Sequence, residues 1–433
     1  MLELVPEQLE GARFLADRRV ALLGDKVGFG KSAQFVRACD AIDAETITII
    51  CPPALRTNER DEFDKFCLWG PGARPVTIIK TGADDVPATG IVIATYNLIA
   101  RSKPMAAKLA KRKADVLILD ESHRVKDPTS EAAKALFYAK GIASRASRVW
   151  FVSGTPVENH AGEFFVFAKC CGAWKGTHRE FMERYTVETV DDFGKRTVVA
   201  NQNEGELLAS LAPYVLARDK VDPNRPPLTV DEFALEGRVP KFPGVTDAEL
   251  DAIRAAAEAG DWSALDGDVS SRVQRLVGAA KAEAAADLII TELDGGVRKA
   301  IAFCYHTETI DLIRFNLLGR GVAVFDGRTP DDEREAIKAD IQNPNGTIRV
   351  LIAHRQAVGE GLTLTGADRV YMVEPAWNPK RNEQCIARAW RRGQTRPVRA
   401  SFLYLPGSID EAVLRVLARK ERENAKVSLS RSV

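Results

Sequence analysis

What most constrains this fold is a recurrent pattern: short, continuous runs of apolar and β-branched residues alternate with helical stretches along most of the chain. In the first half the runs are VALLG from Val20, TITIIC from Thr46, VTII from Val76, IVIAT from Ile91, DVLILD from Asp115 and RVWFVSG from Arg148. A strand that alternates apolar with polar residues keeps one face in water. A strand apolar throughout is covered on both faces, as in a parallel sheet packed between helices. The first half is therefore expected to be an α/β unit, a mainly parallel sheet flanked by helices.

From about His160 to Pro227 the sequence turns mixed and aromatic, and DPNRPPL at 222–228 breaks regular structure as a connection would. An alanine-rich stretch, roughly 247–295, reads as helical. The apolar runs then resume at KAIAFCY (299), VAVFDG (322), TIRVLIA (347), DRVYMVE (368) and VRASFLY (398), a second α/β unit without an alignable repeat of the first. SIDEAVLRVLARKEREN has helical spacing and is expected to pack back on that second unit.

Length is consistent with this division, since 433 residues correspond to two or three domains at about 100–200 residues each. No apolar run approaches the ~20 residues that span a bilayer, and MLELVPEQLEGARF lacks the basic and apolar segments of a signal peptide. The chain is read as intracellular, cytoplasmic or nucleoid-associated, with no membrane partner. Its seven cysteines make no C-x-x-C pair, and with five histidines they offer little for a metal cluster, so buried reduced thiols are expected. The net charge of +1 hides an asymmetry: Trp377 to Val433 carries 13 Lys/Arg against 5 Asp/Glu, leaving the remainder at −7. A basic end on a neutral protein suits a polyanion, although solvated helix faces give similar counts.

The chemistry of the first half centres on GDKVGFGKS, which follows VALL. Gly28 and Gly30 let the backbone turn its amides toward phosphate oxygens, and a helix beginning at Lys31 adds its N-terminus. Lys31 is the candidate to neutralise the β and γ phosphates of ATP, and Ser32 to ligate magnesium. The usual pattern has glycine where Asp25 stands. DVLILDESH supplies the complement: Asp120 to bind the metal, Glu121 to orient and activate the attacking water. SGTPVEN ends the next strand in a tight turn that could sense the γ phosphate. In the second half QCIARAWRRGQ reads as a helix carrying Gln384, Arg388 and Arg391 at i, i+4 and i+7, which puts all three on one face. Arginines so placed stabilise charge on a transferring phosphoryl group. AVGEGLTLTGADRV, with Gly359 and Gly361, permits close backbone approach between two strands, and Trp377 in EPAWNP reads either as a core aromatic or as a contact.

In order along the chain, these segments resemble the Swi/Snf-type ATPases of helicase superfamily two. LVPEQLEGARFL resembles the adenine-reading Q motif through Gln8, GDKVGFGKS the D-E-x-G-x-G-K-T loop that includes Asp25, ICPPALRTNERDEF motif Ia and ATYNLI motif Ib. DESH is similar to motif II and SGTP to motif III. CYHTETIDLI looks like motif IV, FDGRTPDDEREAIKADI the segment after it, GEGLTLTGADRVYMVEPAWNP motif V with its extension, and QCIARAWRRGQ motif VI. The chain departs from that pattern at Lys26, where Glu is usual, at Trp390, where His is frequent, and at Ala217, which precedes Arg218 where a double Arg is common.

The resemblance implies two RecA-like lobes, residues 1–228 with a helical extension after about 160 and residues 229–433 beginning with a helical segment. It implies a cleft between them for ATP and magnesium, with Gln8, Asp25, Gly28, Gly30, Lys31, Ser32, Gly361 and Gln384 around the nucleotide and Asp120, Glu121, Lys31, Arg388 and Arg391 in catalysis. It further implies a groove tracking double-stranded or branched DNA, with Arg56, Thr95, Tyr96, His306, Thr307 and Trp377 as contacts, and it singles out no protein partner. The expected activity is DNA-stimulated ATP hydrolysis that drives translocation on the duplex. The compact chain is similar to the small bacterial, phage and annealing-helicase-like members, which favours remodelling or annealing of forks and recombination intermediates over nucleosome sliding. A strand-separating DNA or RNA helicase and a catalytically weak DNA-binding scaffold are the alternatives.

Overall fold

In a computed structural model the chain forms two compact units, Met1–Lys220 and Val221–Lys426. The structure describes residues 3–26, 28–70, 72–154, 156, 160–190, 194, 196–218, 225–237, 246–259, 267–358, 362–391 and 393–426.

The first unit contains β1 (Val20–Leu23), β2 (Thr46–Cys51), β3 (Val76–Ile78), β4 (Gly90–Thr95), β5 (Val116–Asp120), β6 (Arg148–Val152), β7 (Thr186–Val190), β8 (Arg196–Asn201) and β9 (Val215–Leu216). Seven of them form one parallel sheet in the order β3-β4-β2-β5-β6-β1-β9, while β7 and β8 pair antiparallel as a separate hairpin. The alternation of side chains across the sheet explains the unbroken apolar runs. Leu22, Ile50, Val92, Leu117, Leu119 and Phe151 enter the core on one face, and Leu23, Ile49, Ile93, Ile118, Trp150 and Val152 enter the core on the other. Each such side chain contributes roughly 1.5–3 kcal/mol by leaving water, so a polar residue within one of these runs would be costly.

The second unit holds β10 (Leu228–Ala234), β11 (Ala300–Cys304), β12 (Val322–Phe325), β13 (Val350–His354), β14 (Arg369–Met372) and β15 (Val398–Tyr404), all parallel in the order β10-β15-β14-β11-β13-β12. Ile301, Phe303, Leu351 and Met372 fill one side, and Ala302, Ile352, Tyr371 and Leu403 the other. The alanine-rich region is helical over Asp247–Ala259 and Gly267–Asp294. The helix Ile409–Lys426 packs on this unit as expected: Asp410 pairs at 2.9 Å with Lys281, whose buried ammonium also donates to the Val373 carbonyl at 2.6 Å. The expected α/β architecture, two mainly parallel sheets flanked by helices, is what the chain adopts. Strands β7 to β10 were not anticipated.

Candidate functional site

The loop after β1 leads directly into the helix Lys31–Ala41. Gly28 and Gly30 have φ of 93° and 72°, the left-handed region in which a side chain is strained. At Gly30 a Cβ would also lie 2.3 Å from Gln8 Nε2, so a side chain there would displace the Gln8 amide as well as strain the backbone. Gln8 braces the loop, its amide donating to the Phe29 carbonyl at 3.2 Å and accepting from the Val5 amide at 3.2 Å. Lys31 Nζ donates to the Asp25 carbonyl at 2.9 Å, and Ser32 follows in the first helical turn. Three features that suit phosphate thus lie in one short segment: a helix N-terminus, two glycines in the left-handed region and an ammonium.

Asp25 is 0% exposed, and its carboxylate is occupied by protein groups. Arg218 Nη2 lies 2.6 Å from Oδ2, Arg218 Nε and N donate to Oδ1 at 3.0 and 3.1 Å, and Gln34 Nε2 donates to Oδ2 at 3.0 Å. Arg218 also donates to the Glu7 carbonyl at 2.6 Å and to Gln34 Oε1 at 2.9 Å. Asp25 therefore fastens the loop to the end of the first unit across 193 residues of sequence. Removing Arg218 would leave a carboxylate buried without its counter-charge. Arg218→Ala is expected to lower stability by about 3–5 kcal/mol, read as a lower denaturant midpoint; an unchanged midpoint would show that the pair does not hold the loop.

Asp120 ends β5, Glu121 follows it, and β6 separates β5 from β1, so the acidic pair and the loop share the carboxyl edge of one sheet. Burial, with the Glu121 charge behind it, pushes the Asp120 carboxyl up to about 7, against the pull of Lys31. A third carboxyl was not read from the sequence: Glu59, 1% exposed on the helix Arg56–Phe66, hydrogen-bonds to Asp120. Burial first and Asp120 second push Glu59 well above the usual carboxylate range. Glu121 has φ 51°, unusual for a residue with a side chain, and its Oε2 lies 3.2 Å from His123 Nδ1, itself 3.2 Å from Ser153 Oγ. His123 thereby links DESH to SGTP. A hydroxyl and a carboxylate at one sheet edge are the hard oxygen donors that suit magnesium, which needs only one or two protein ligands beside phosphate oxygens. Among the described residues no cluster of three or more His, Cys, Asp or Glu forms a dedicated metal cage.

In the second unit the helix Pro379–Ala389 carries Gln384 and Arg388. Arg391 departs from the expected i+7 position because the helix stops at Ala389: Trp390 leaves helical geometry, and Gln394 Nε2 donates to the Ala389 carbonyl at 3.1 Å. Arg391 is held instead by Thr363, with Nη1 to Oγ1 at 3.0 Å. Arg388 is buried, and its carbonyl accepts from the Leu364 amide at 2.8 Å, which ties the helix to the preceding loop. Gly359 and Gly361 lie outside the described residues.

The suggested DNA contacts divide by burial. Thr95 caps the helix Tyr96–Arg101 by accepting from the Leu98 amide, and the buried Tyr96 hydroxyl donates to the Asp120 carbonyl at 2.8 Å, so both side chains are spent inside the first unit. His306 Nδ1 sits 2.6 Å from Glu374 Oε1, while its neighbour Thr307 is exposed. Trp377 packs against Ala412, Val413 and Val416 of the last helix, nearer to the core-aromatic reading. Arg56 is half-buried, with Nε donating to the Pro53 carbonyl at 2.9 Å.

A glycine loop and an acidic pair at the carboxyl edge of a parallel sheet define a phosphate-loop α/β protein. The SNF2-related domain pattern matches residues 7–225 and the helicase conserved C-terminal domain pattern residues 280–393. The chain belongs to the SNF2-related family. It is 26% identical over 96% of its length to the Mus musculus DNA annealing helicase and endonuclease ZRANB3, covering 40% of that protein. It is 26% identical over 99% of its length to the Drosophila melanogaster SWI/SNF-related matrix-associated actin-dependent regulator of chromatin subfamily A-like protein 1, covering 56%. The chain thus spans about half the length of these relatives. The Sulfolobus solfataricus SWI2/SNF2 ATPase core in complex with dsDNA is similar over 99% of this chain and 93% of its own, at 19% identity and a TM-score of 0.45. No described helix is long and apolar enough to cross a membrane.

Proposed function

We propose that the chain is a DNA-stimulated ATP hydrolase that translocates on double-stranded DNA and remodels or anneals branched DNA. One observation carries the ATPase part: Lys31 and the pair Asp120–Glu121 stand at the same edge of one sheet, close enough for Lys31 to act on the Asp120 charge. In this reading Gln8 and the loop amides hold the nucleotide, Lys31 neutralises its terminal phosphates, and Ser32 and Asp120 hold magnesium. When bound, that ion supplies positive charge on the phosphate oxygens. Glu121 orients and activates the attacking water, and Arg388 and Arg391 stabilise charge on the transferring group. Gln384 and Gly361 complete the nucleotide surroundings.

The DNA part is supported by family membership, by relatives named for DNA annealing and by the basic segment after Trp377. Arg56 and Thr307 are the surface candidates for backbone contact; Thr95 and Tyr96 drop out because they are buried. Phosphate release should rise when duplex or forked DNA is added, and displacement of a third strand should accompany it without unwinding of the duplex. Hydrolysis indifferent to every nucleic acid would defeat the translocase reading, and stimulation by RNA alone would replace it with an RNA-dependent one.

A further inference from the structure

The indole of Trp390 has two partners that precede the second unit's first strand. Its Nε1 donates to the Pro226 carbonyl at 2.7 Å, and the Arg225 guanidinium lies over the ring, Cζ 4.7 Å from the centroid. The next carbonyl, Pro227, accepts from the Val398 amide at 2.9 Å, after which β10 runs in register with β15 from Leu228 opposite Val398. Three consecutive residues are thus fastened to the chain that follows Arg388. Pro226 and Pro227 have no N–H, so carbonyls are the backbone groups by which they can be hydrogen-bonded. An indole N–H is a donor only and, when withdrawn from water, takes such an acceptor.

The same residue is joined to the arginines. The Trp390 amide donates to the Ile386 carbonyl at 3.0 Å, closing the helix that bears Arg388, and Arg391 follows directly. Within the first unit, Arg218 is fastened to Asp25 of the phosphate loop. Six residues, 219–224, separate Arg218 from Arg225 in sequence. Each end of this connection is therefore tied, inside its own unit, to a nucleotide motif.

We infer that Trp390 is a positioning residue for ATP hydrolysis: it holds Arg225 and Pro226 against the end of the arginine-bearing helix, so that the chain's entry into the second unit and Arg388 with Arg391 move as one body. This rests on the ATPase reading above. Trp390 itself touches no nucleotide. Its work is to remove slack between the start of the second unit and the helix end that bears the arginines. Losing it leaves the loop of the first unit intact and affects turnover rather than nucleotide affinity.

The test uses the full chain. Trp390→Ala should lower kcat in the presence of duplex DNA by roughly tenfold, with KM for ATP within about twofold of the parent. Trp390→Phe keeps a ring under Arg225 but loses the N–H, and should fall between. Arg225→Ala should resemble it, and adding Arg225→Ala to Trp390→Ala should cost little more, because both remove one contact. Melting temperature and the fraction of protein binding a non-hydrolysable ATP analogue are measured beside each rate. A Trp390→Ala variant with the parent's duplex-stimulated kcat overturns the inference, as does a loss that only follows the fraction of unfolded protein. Failure of the parent chain to hydrolyse ATP is a separate outcome, and it removes the ATPase reading and this inference with it.

Discussion

Glu121→Gln is expected to bind ATP about as well as the parent chain and to turn it over about 10²–10⁴ times more slowly. The substitution preserves size and the ability to meet His123 Nδ1, which lies 3.2 Å from the carboxylate. It also preserves the backbone, since glutamine tolerates φ of 51° no better and no worse than glutamate. What it removes is a partly exposed carboxylate able to take a proton from water at this edge, whereas Asp120 is buried and tied to Glu59. Lys31→Ala is the contrasting variant. With the ammonium gone the loop amides face the phosphates without a counter-charge, and ATP binding itself should be lost. Equilibrium binding of a fluorescent ATP analogue with single-turnover phosphate release separates the two. Normal turnover by Glu121→Gln would remove that residue from its role.

The strands were legible because a strand covered on both faces leaves a simple trace. In TITIIC every residue from Ile47 to Cys51 is buried. The missed strands lack that trace for physical reasons. β10, LTVDEFA, is an edge strand whose side chains are exposed or half-exposed and whose start is hidden behind two prolines. β7 and β8 pair only with each other and leave Val187, Val190 and Val199 exposed, so they read as irregular sequence. β9 is only two residues long and takes its identity from its neighbour β1.

The same distinction governs the candidate site. The loop from Gly24 to Ser32 and the DESH pair are local patterns, and local patterns survive in a one-dimensional reading. Partners made by the fold do not. Arg218 reaches Asp25 across 193 residues and Trp390 reaches Pro226 across 164. Glu59 sits in RTNERDEFDKF, which reads as a solvated helix until Glu59 and Phe63, four residues apart, are seen to be its buried side chains. Tyr96 misleads in the opposite direction: a hydroxyl that looks like a surface contact is buried and donates to the Asp120 carbonyl.

Arg388→Ala should give the other large effect, a fall in kcat of about 10³–10⁵ with a smaller change in KM. Arg388 is 7% exposed, and its carbonyl is pinned by the Leu364 amide, so the backbone that aims the side chain is set before any nucleotide arrives. Pre-set charge is what favours a transition state over a ground state, because no reorganisation is spent when the phosphoryl group moves. Arg388→Lys should therefore recover little: lysine keeps the charge but not the planar fork of donors. Arg391 lies past the helix end and is steadied by the Thr363 hydroxyl, so Arg391→Ala should cost less than Arg388→Ala, and Thr363→Val should reproduce part of that smaller loss. Rapid-quench measurement of the hydrolysis step, with melting temperature as the control for folding, ranks the four variants. Equal kcat for Arg388→Ala and the parent would mean that the buried arginine holds the second unit together and takes no part in phosphoryl transfer.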